Sequence, residues 1–273
     1  MARSSNYYRK THGPSQRVQA DDKLASRIRD IQERHKYRYG IQRIQAALKA
    51  DGHERQPGHN QIARVMQAYG LNAVIRQKRR YFSAVDRKGL VDESLLKNEL
   101  ARSFQQSTPG THIVSDVTYI KTSNGWLYVS PVMDLCTREI LSCEMSMSQD
   151  LDLGIKTLNS ISSKISDTCL LHTDRGFMYT HMSFRSQASE QGIRQSYSRK
   201  GNCWDNAVME GWNGILKTEW LYHPEYKTPK GRLPTPEEVR NGVKSYITYY
   251  NEYRIQKKLG YRSPVQYREA ITQ

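Results

Sequence analysis

Residues 112–147 read HIVSDVTYIKTSNGWLYVSPVMDLCTREILSCEMSM. Three runs within this stretch, HIVSDVTYI, WLYVSPVMDL and EILSCEMSM, are β-prone and parted by short polar breaks, and they predict three strands. The next tract, QDLDLGIKTLNSISSKI, has helical spacing and leads into a short apolar strand, TCLLHTD. Helix-like HMSFRSQASEQG, the strand IRQSYS and a helix from about Asp205 to Trp220 follow. That order, βββαβαβα, predicts an α/β fold with a mixed sheet flanked by helices. Farther on, PEEVRNGVKSYITYYNEYR carries apolar or aromatic residues at 239, 243, 246, 247 and 250, the stripe of an amphipathic helix.

Upstream of this region the rhythm is helical. DDKLASRIRDIQERH spaces Leu24, Ile28 and Ile31 on one face, and YGIQRIQAALKADG does the same with Ile41, Ile44, Ala47 and Leu48 before Gly52. After the turn HERQPG, the segment HNQIARVMQAYGL aligns Ile62, Val65, Met66 and Tyr69, with Asn60 as the expected N-cap and Gly70 as the stop. Two short helices about a tight turn predict a helix-turn-helix. Its second helix is expected to present His59, Asn60, Gln61, Arg64 and Gln67, side chains able to contact bases or phosphates. The basic run IRQKRRYF, with Arg79 and Arg80, adds a grip on phosphate. The expected division is a basic helical region over 1–80, a linker over 81–108 with one helical segment (ESLLKNELARSF), and a mixed-sheet core with a helical tail over 109–273.

Charge supports the division. The 273 residues hold 42 Lys plus Arg against 27 Asp plus Glu, a net of +15. Residues 1–106 carry 22 and 10 of these and residues 107–273 carry 20 and 17, so +12 of the excess lies in front and +3 behind. A basic front joined to a nearly balanced body suits a polyanion-gripping module on a domain with other work. No tract approaches the roughly 18 apolar residues of a membrane span. The start, MARSSNYYRKTHGPSQR, has no apolar signal-peptide core. A soluble, cytoplasmic, nucleoid-associated protein is expected. Cys136, Cys143, Cys169 and Cys203 are scattered without a CxxC pair, so reduced thiols are expected rather than disulfides or structural zinc.

The chemistry is sought among the acids, because carboxylates are the natural ligands of hard divalent cations. Asp116 interrupts an otherwise apolar strand, where aspartate is disfavoured. Asp174 ends the strand CLLHTD, at the end of an α/β sheet where sites are usually built. On the following helix Glu210 and Glu219 are nine residues apart and point to opposite faces, so only one can join the site. Lys217, seven residues after Glu210, shares its face. Asp205 reads as the N-cap of that helix, and Asp134 as a spare acid better explained by a turn. Taken singly each acid also has a structural explanation, as a turn cap or a solvent-facing edge residue.

Together the motifs are recognisable. SDVTYI around Asp116, HTDRGFMY around Asp174 and SRKGNCWDNAVMEGWNGILKTEW around Glu210 resemble the three signatures of insertion-sequence transposases of the IS-three family, within the retroviral-integrase superfamily. Residues 175–209, 35 in number, separate the second acid from the third, the spacing of this DDE class, and its lysine is present as Lys217. The tail YNEYRIQKKLGYRSPVQY and the upstream helix-turn-helix resemble the family too. The resemblance implies an RNase H-like core. It implies Asp116, Asp174 and Glu210 as catalytic metal ligands, with two Mg²⁺ ions (or Mn²⁺). It also implies cleavage of DNA ends with water, followed by direct transesterification. Lys217 is the expected DNA contact, and Arg175, Arg199, Lys200 and Asn206 are further candidates on charge and position.

The partners so implied are double-stranded DNA (the element's terminal repeats and a target), further copies of the chain in a synaptic complex, and an upstream reading-frame product. Two positions depart from the family pattern: Ile113 stands where a Trp is frequent, and Gln256 where the tail usually has His. With no cysteine before Cys136, the zinc module of retroviral integrases is not expected. Two other readings stay open at this point, a catalytically silent DNA-binding repressor and an RNase H-fold nuclease that does not join strands.

Overall fold

The structure, a computed structural model, describes residues 15–52, 56–74, 93–226, 228 and 232–272. They fall into two compact units divided between Ile75 and Arg76.

The first unit is three helices: α1 (Gln16–Arg34), α2 (Ile41–Ala50) and α3 (His59–Ala68). The predicted apolar stripes form its core, with Leu24, Ile28 and Ile31 of α1 buried alongside Ile44, Leu48, Ile62, Val65 and Met66. One polar side chain ties the unit together. Gln32 is fully buried; its Nε2 donates to the carbonyls of Tyr39 (2.9 Å) and Leu71 (2.8 Å), and its Oε1 accepts from the Tyr39 amide. Every polar atom so placed is satisfied, which lets an amide sit in the core. The N-cap of α3 is Gly58 rather than Asn60; Asn60 lies inside the first turn and is exposed.

The second unit is built on a mixed sheet. Its strands are β1 (His112–Ser115), β2 (Thr118–Thr122), β3 (Gly125–Asp134), β4 (Ile140–Ser146), β5 (Cys169–Thr173) and β6 (Ile193–Tyr197). Its helices are α4 (Leu151–Asn159), α5 (Phe177–Thr180), α6 (Met182–Glu190), α7 (Ala207–Leu216), α8 (Pro236–Glu252) and α9 (Pro264–Thr272).

The first predicted strand is two. β1 and β2 both pair antiparallel with β3, at Ile113↔Asp134 and Thr118↔Val129, so they continue one register along the same edge of β3. That register sets Asp116 opposite Pro131, which has no N–H to give to the ladder. The Pro131 carbonyl instead accepts from the Ser115 hydroxyl at 3.0 Å. A break in pairing at Asp116 thus has its cause one strand away. β4 takes the other edge of β3, and β5 and β6 extend the sheet in parallel beyond β1.

Both faces of the sheet are covered. Val114 and Leu170 face Met209, Trp212, Leu216, Trp220, Val239, Val243, Tyr246 and Tyr250, the apolar stripes of α7 and α8. Their neighbours Ile113 and Leu171 face the opposite layer, with Leu153, Leu158, Met178, Phe184 and Ala188. The alternation along each strand distributes residues to two cores, as the period of a strand requires. α8 starts with a full capping box at Thr235 and Glu238. It crosses Trp220 so closely that a Cβ on Gly242 would come within 2.1 Å of the indole.

The predicted helical segment at the end of the linker is not formed. Residues 93–95 make one short turn, and Leu96 and Leu100 are buried in the core unit. The Lys97 carbonyl accepts from the Tyr197 amide, and the Leu100 amide donates to Ser196 Oγ (3.0 Å), so this segment is held along β6 instead of coiling. α9 adds a helix that periodicity did not single out.

Candidate active site

Three elements bring the three acids to one end of the sheet. Asp116 sits at the β1–β2 break, Asp174 follows the last residue of β5, and Glu210 lies in the first turn of α7. Asp116 is half-buried, and its carboxyl is pushed up to about 7 by burial first and then by the negative charges of Asp174 and Glu210. Coupling of that kind requires the three groups to share one field. Asn213 Nδ2 donates to Asp116 Oδ2 at 2.8 Å, and Lys217 offsets part of the charge. The Glu210 carboxyl is raised as well, by partial burial, though its residue is otherwise exposed. Among the described residues no three His, Cys, Asp or Glu side chains stand close enough to enclose a metal ion.

Asp174 does what a turn-capping aspartate does, with one oxygen: Oδ1 accepts from the Gly176 amide at 2.9 Å. A Cβ at Gly176 would stand 2.9 Å from that same oxygen, so a side chain there would press on the carboxylate. The turn and the candidate ligand are therefore one device. Next to it β5 carries His172, wholly buried between Ser196 Oγ (2.8 Å) and Ser198 Oγ (3.2 Å) and held neutral by burial, its pKa lowered to about 4.

α7 offers two stripes. Met209, Trp212, Leu216 and Trp220 are buried in the core. Beside them Asn206, Glu210, Asn213 and Lys217 recur at the three- and four-residue spacing of one helical face. Asn206 Nδ2 donates to the Ser115 carbonyl at 3.0 Å and Asn213 holds Asp116, so this stripe is laced to the strand that carries the first acid. Asn213 was not anticipated, although its spacing from Glu210 and Lys217 was signal enough. At Lys217 the helix widens into one wide turn, Lys217–Leu221, and the Lys217 ammonium lies 5.4 Å from the centroid of the Tyr119 ring. Its pKa is lowered by burial, against the pull of Asp116.

Several expectations need correction. Asn206 is 4% exposed, and its Nδ2 is engaged with β1. Asp205 is not the N-cap of α7, which is Asn206. Asp205 is instead a fully buried hub: it accepts from Arg199 through Nε and Nη2 (both 2.9 Å) and the Arg199 amide, from Arg102 Nε (2.7 Å) and from Asn98 Nδ2 (2.9 Å). Arg199 first, then these other donors, holds its carboxyl well below the usual range. Arg199 is thereby engaged within the fold. Arg175 Nε donates to the Ser198 carbonyl (2.8 Å), joining the ends of β5 and β6, and Lys200 is exposed.

Asp134 is buried at the far end of β3 and accepts from the amides of Gly110 and Cys136, the turn role expected of it. In the helical unit Asn60, Gln61, His59 and Gln67 are exposed, while Arg64 forms a bidentate pair with Asp21 (2.7 Å twice). Arg79 and Arg80 lie outside the described residues. Cys136, Cys143 and Cys169 are free thiols pushed up to about 11, 12 and 12 by burial; the Cys203 side chain lies outside what the structure describes. No described helix is long and apolar enough to cross a membrane.

A five-position sheet in the order β4, β3, β1/β2, β5, β6, flanked by helices, is the RNase H-like core of a polynucleotidyl transferase of the DDE class. The comparisons with known proteins agree. An integrase core domain matches residues 106–203 and a second integrase core model residues 191–264, while an HTH-like domain matches residues 19–79. The chain is 34% identical to a putative transposase InsK for insertion sequence element IS150 of Escherichia coli K12, over 90% of this chain and 82% of that one. It is 32% identical to the transposase InsF for insertion sequence IS3A of the same organism, over 86% and 78%. A chain of the simian T-cell lymphotropic virus intasome, solved in complex with PP2A regulatory subunit B56 gamma, shares the fold at a TM-score of 0.51 and 18% identity, over 81% of this chain and 69% of that one. The chain belongs to the IS-three family of insertion-sequence transposases, and its function is DNA transposition.

Proposed function

We propose that Asp116, Asp174 and Glu210 are the catalytic carboxylates of this transposase and that they hold two Mg²⁺ ions, with Mn²⁺ able to replace them. The observation that carries this reading is the arrival of three acids, from the ends of β1 and β5 and the first turn of α7, at one end of the sheet, where Asp174 and Glu210 raise the Asp116 carboxyl. A fold does not gather uncompensated like charges for stability, and an all-oxygen donor set is what a hard cation takes. The ions, once bound, would activate the attacking oxygen and stabilise the leaving one at a scissile phosphate.

The chain's own residues do the rest. Asn213 orients Asp116 through its 2.8 Å hydrogen bond, and the Gly176 amide orients Asp174. Lys217 brings a positive charge to the same face for the DNA phosphate. Water attacks first and exposes a 3′-hydroxyl; that hydroxyl then attacks a second phosphodiester, so no covalent bond to protein forms.

The helical region over 1–80 grips the terminal repeats through the exposed Asn60 and Gln61 of α3, with Arg79 and Arg80 on phosphate, and residues 81–108 lead into the core over 109–273. The working form is an oligomer in a synaptic complex at the nucleoid, acting with or without an upstream reading-frame product. The test is strand transfer with Mg²⁺ on a labelled duplex bearing the ends that flank the gene. Joined products from the wild type, none from Asp116→Asn and none with EDTA are expected. Binding without cutting or joining, even with the upstream product supplied, would return the chain to the silent-repressor reading.

A further inference from the structure

The hairpin of β2 and β3 carries a group of side chains that the catalytic reading does not use. Tyr119 is 47% exposed and Trp126 45% exposed, and their rings meet edge to face with centroids 5.1 Å apart. Tyr128 adds a third ring, 6.4 Å from Tyr119. Lys121, exposed, is the cross-strand partner of Trp126. Lys217 links this group to the acids: its ammonium lies over Tyr119 while its charge is felt by Asp116.

Aromatic rings left open to water beside lysines match one kind of partner well. A nucleotide supplies both a π-face and a phosphate, and base–aromatic stacking tolerates any sequence. A base within a duplex has both faces covered by its neighbours, so only a terminal or unpaired base can use such a platform. The patch also starts where Lys217 ends, so a strand whose phosphate lies at the acids passes directly to it.

We propose that Tyr119 and Trp126 form a stacking platform for an unpaired nucleotide of the DNA end, next to the phosphate held at Asp116, Asp174 and Glu210. The proposal rests on the catalytic reading of those acids. The platform stabilises the opened end and so positions the strand for cleavage; it touches no reacting atom.

The experiment uses the full chain and a duplex bearing the ends that flank the gene, with 2-aminopurine at the terminal positions. In EDTA, wild-type binding should quench the probe by stacking, whereas Trp126→Ala and Tyr119→Ala should leave it bright and Trp126→Phe should keep most of the quenching. With Mg²⁺, the alanine variants should cleave paired ends roughly 5- to 150-fold more slowly, the effect expected when a single base loses its stacking partner. Ends carrying a terminal mismatch should recover much of that loss. Unchanged quenching and cleavage in both alanine variants would overturn the proposal. So would an equal loss on paired and mismatched ends, or a loss of self-association in sedimentation with quenching intact, which would make the patch an interface between copies. Cleavage surviving in Asp116→Asn would instead overturn the catalytic reading, and the quenching result, which needs no cleavage, is read separately.

Discussion

Glu210 and Glu219 ride on one helical run, nine residues and half a rotation apart, and their surroundings are opposites. Glu219 is buried and fully compensated: Arg254 donates to both its oxygens (2.8 Å each at best), and the Tyr246 hydroxyl adds a bond of 3.0 Å. Glu210 is exposed instead, and its charge helps raise the Asp116 carboxyl to about 7. The fold places a salt bridge where the tail helix α8 must lock against the core and, on the proposed reading, leaves Glu210 to a cation. The same contrast holds for the aspartates, with Asp205 ringed by Arg199, Arg102 and Asn98 while Asp116 has one amide. Incomplete compensation is thus what sets the proposed catalytic acids apart from the structural ones.

The largest effects should come from neutralising each glutamate in turn. Glu210→Gln should keep the fold and DNA binding but lower end cleavage on the order of 10³-fold or more, several kcal/mol of lost transition-state stabilisation. Wild-type cleavage in a gel assay would remove Glu210 from the site. Glu219→Gln should do the reverse, costing about 3–5 kcal/mol in urea unfolding of the core because Arg254 is left buried without its partner; an unchanged midpoint would mean the pair is dispensable.

A smaller effect lies in pH. The Asp116 carboxyl is raised when folded, so its neutral form is favoured: the native state carries no penalty below its ordinary value of 3.8, and loses stability as pH climbs from there to about 7. Without divalent metal, Asp116→Asn should therefore be more stable than the wild type at pH 8, by a few kcal/mol of unfolding free energy at most, and the gap should close toward pH 4. Mg²⁺ should raise the melting temperature of the wild type and not of the variant. A wild type as stable as the variant at pH 8 in EDTA would show that Asp116 is not under this strain.

The least disruptive test addresses the front. Arg79→Glu with Arg80→Glu should weaken DNA binding and reduce the salt slope by about 0.9 for each phosphate no longer neutralised, leaving unfolding unchanged. An identical slope in titrations at several salt concentrations would place the grip elsewhere.

The large elements and the candidate acids were legible in the linear chain. The β-prone composition of WLYVSPVMDL and the stripes of α1, α2, α3 and α8 are local properties, which a linear reading captures. The 35 residues between Asp174 and Glu210, with Lys217 beyond, marked the site and the family.

Other features have their cause far along the chain, and packing alone settled them. The break at Asp116 depends on Pro131 in a neighbouring strand, and the uncoiled segment at Leu96–Leu100 depends on β6. Asp205 looked like a cap because caps are local; its actual partners include Asn98 and Arg102, more than a hundred residues before it. Periodicity gives each residue a face, but only packing assigns that face a neighbour, and the neighbour settles whether an acid is neutralised or left with charge to spare.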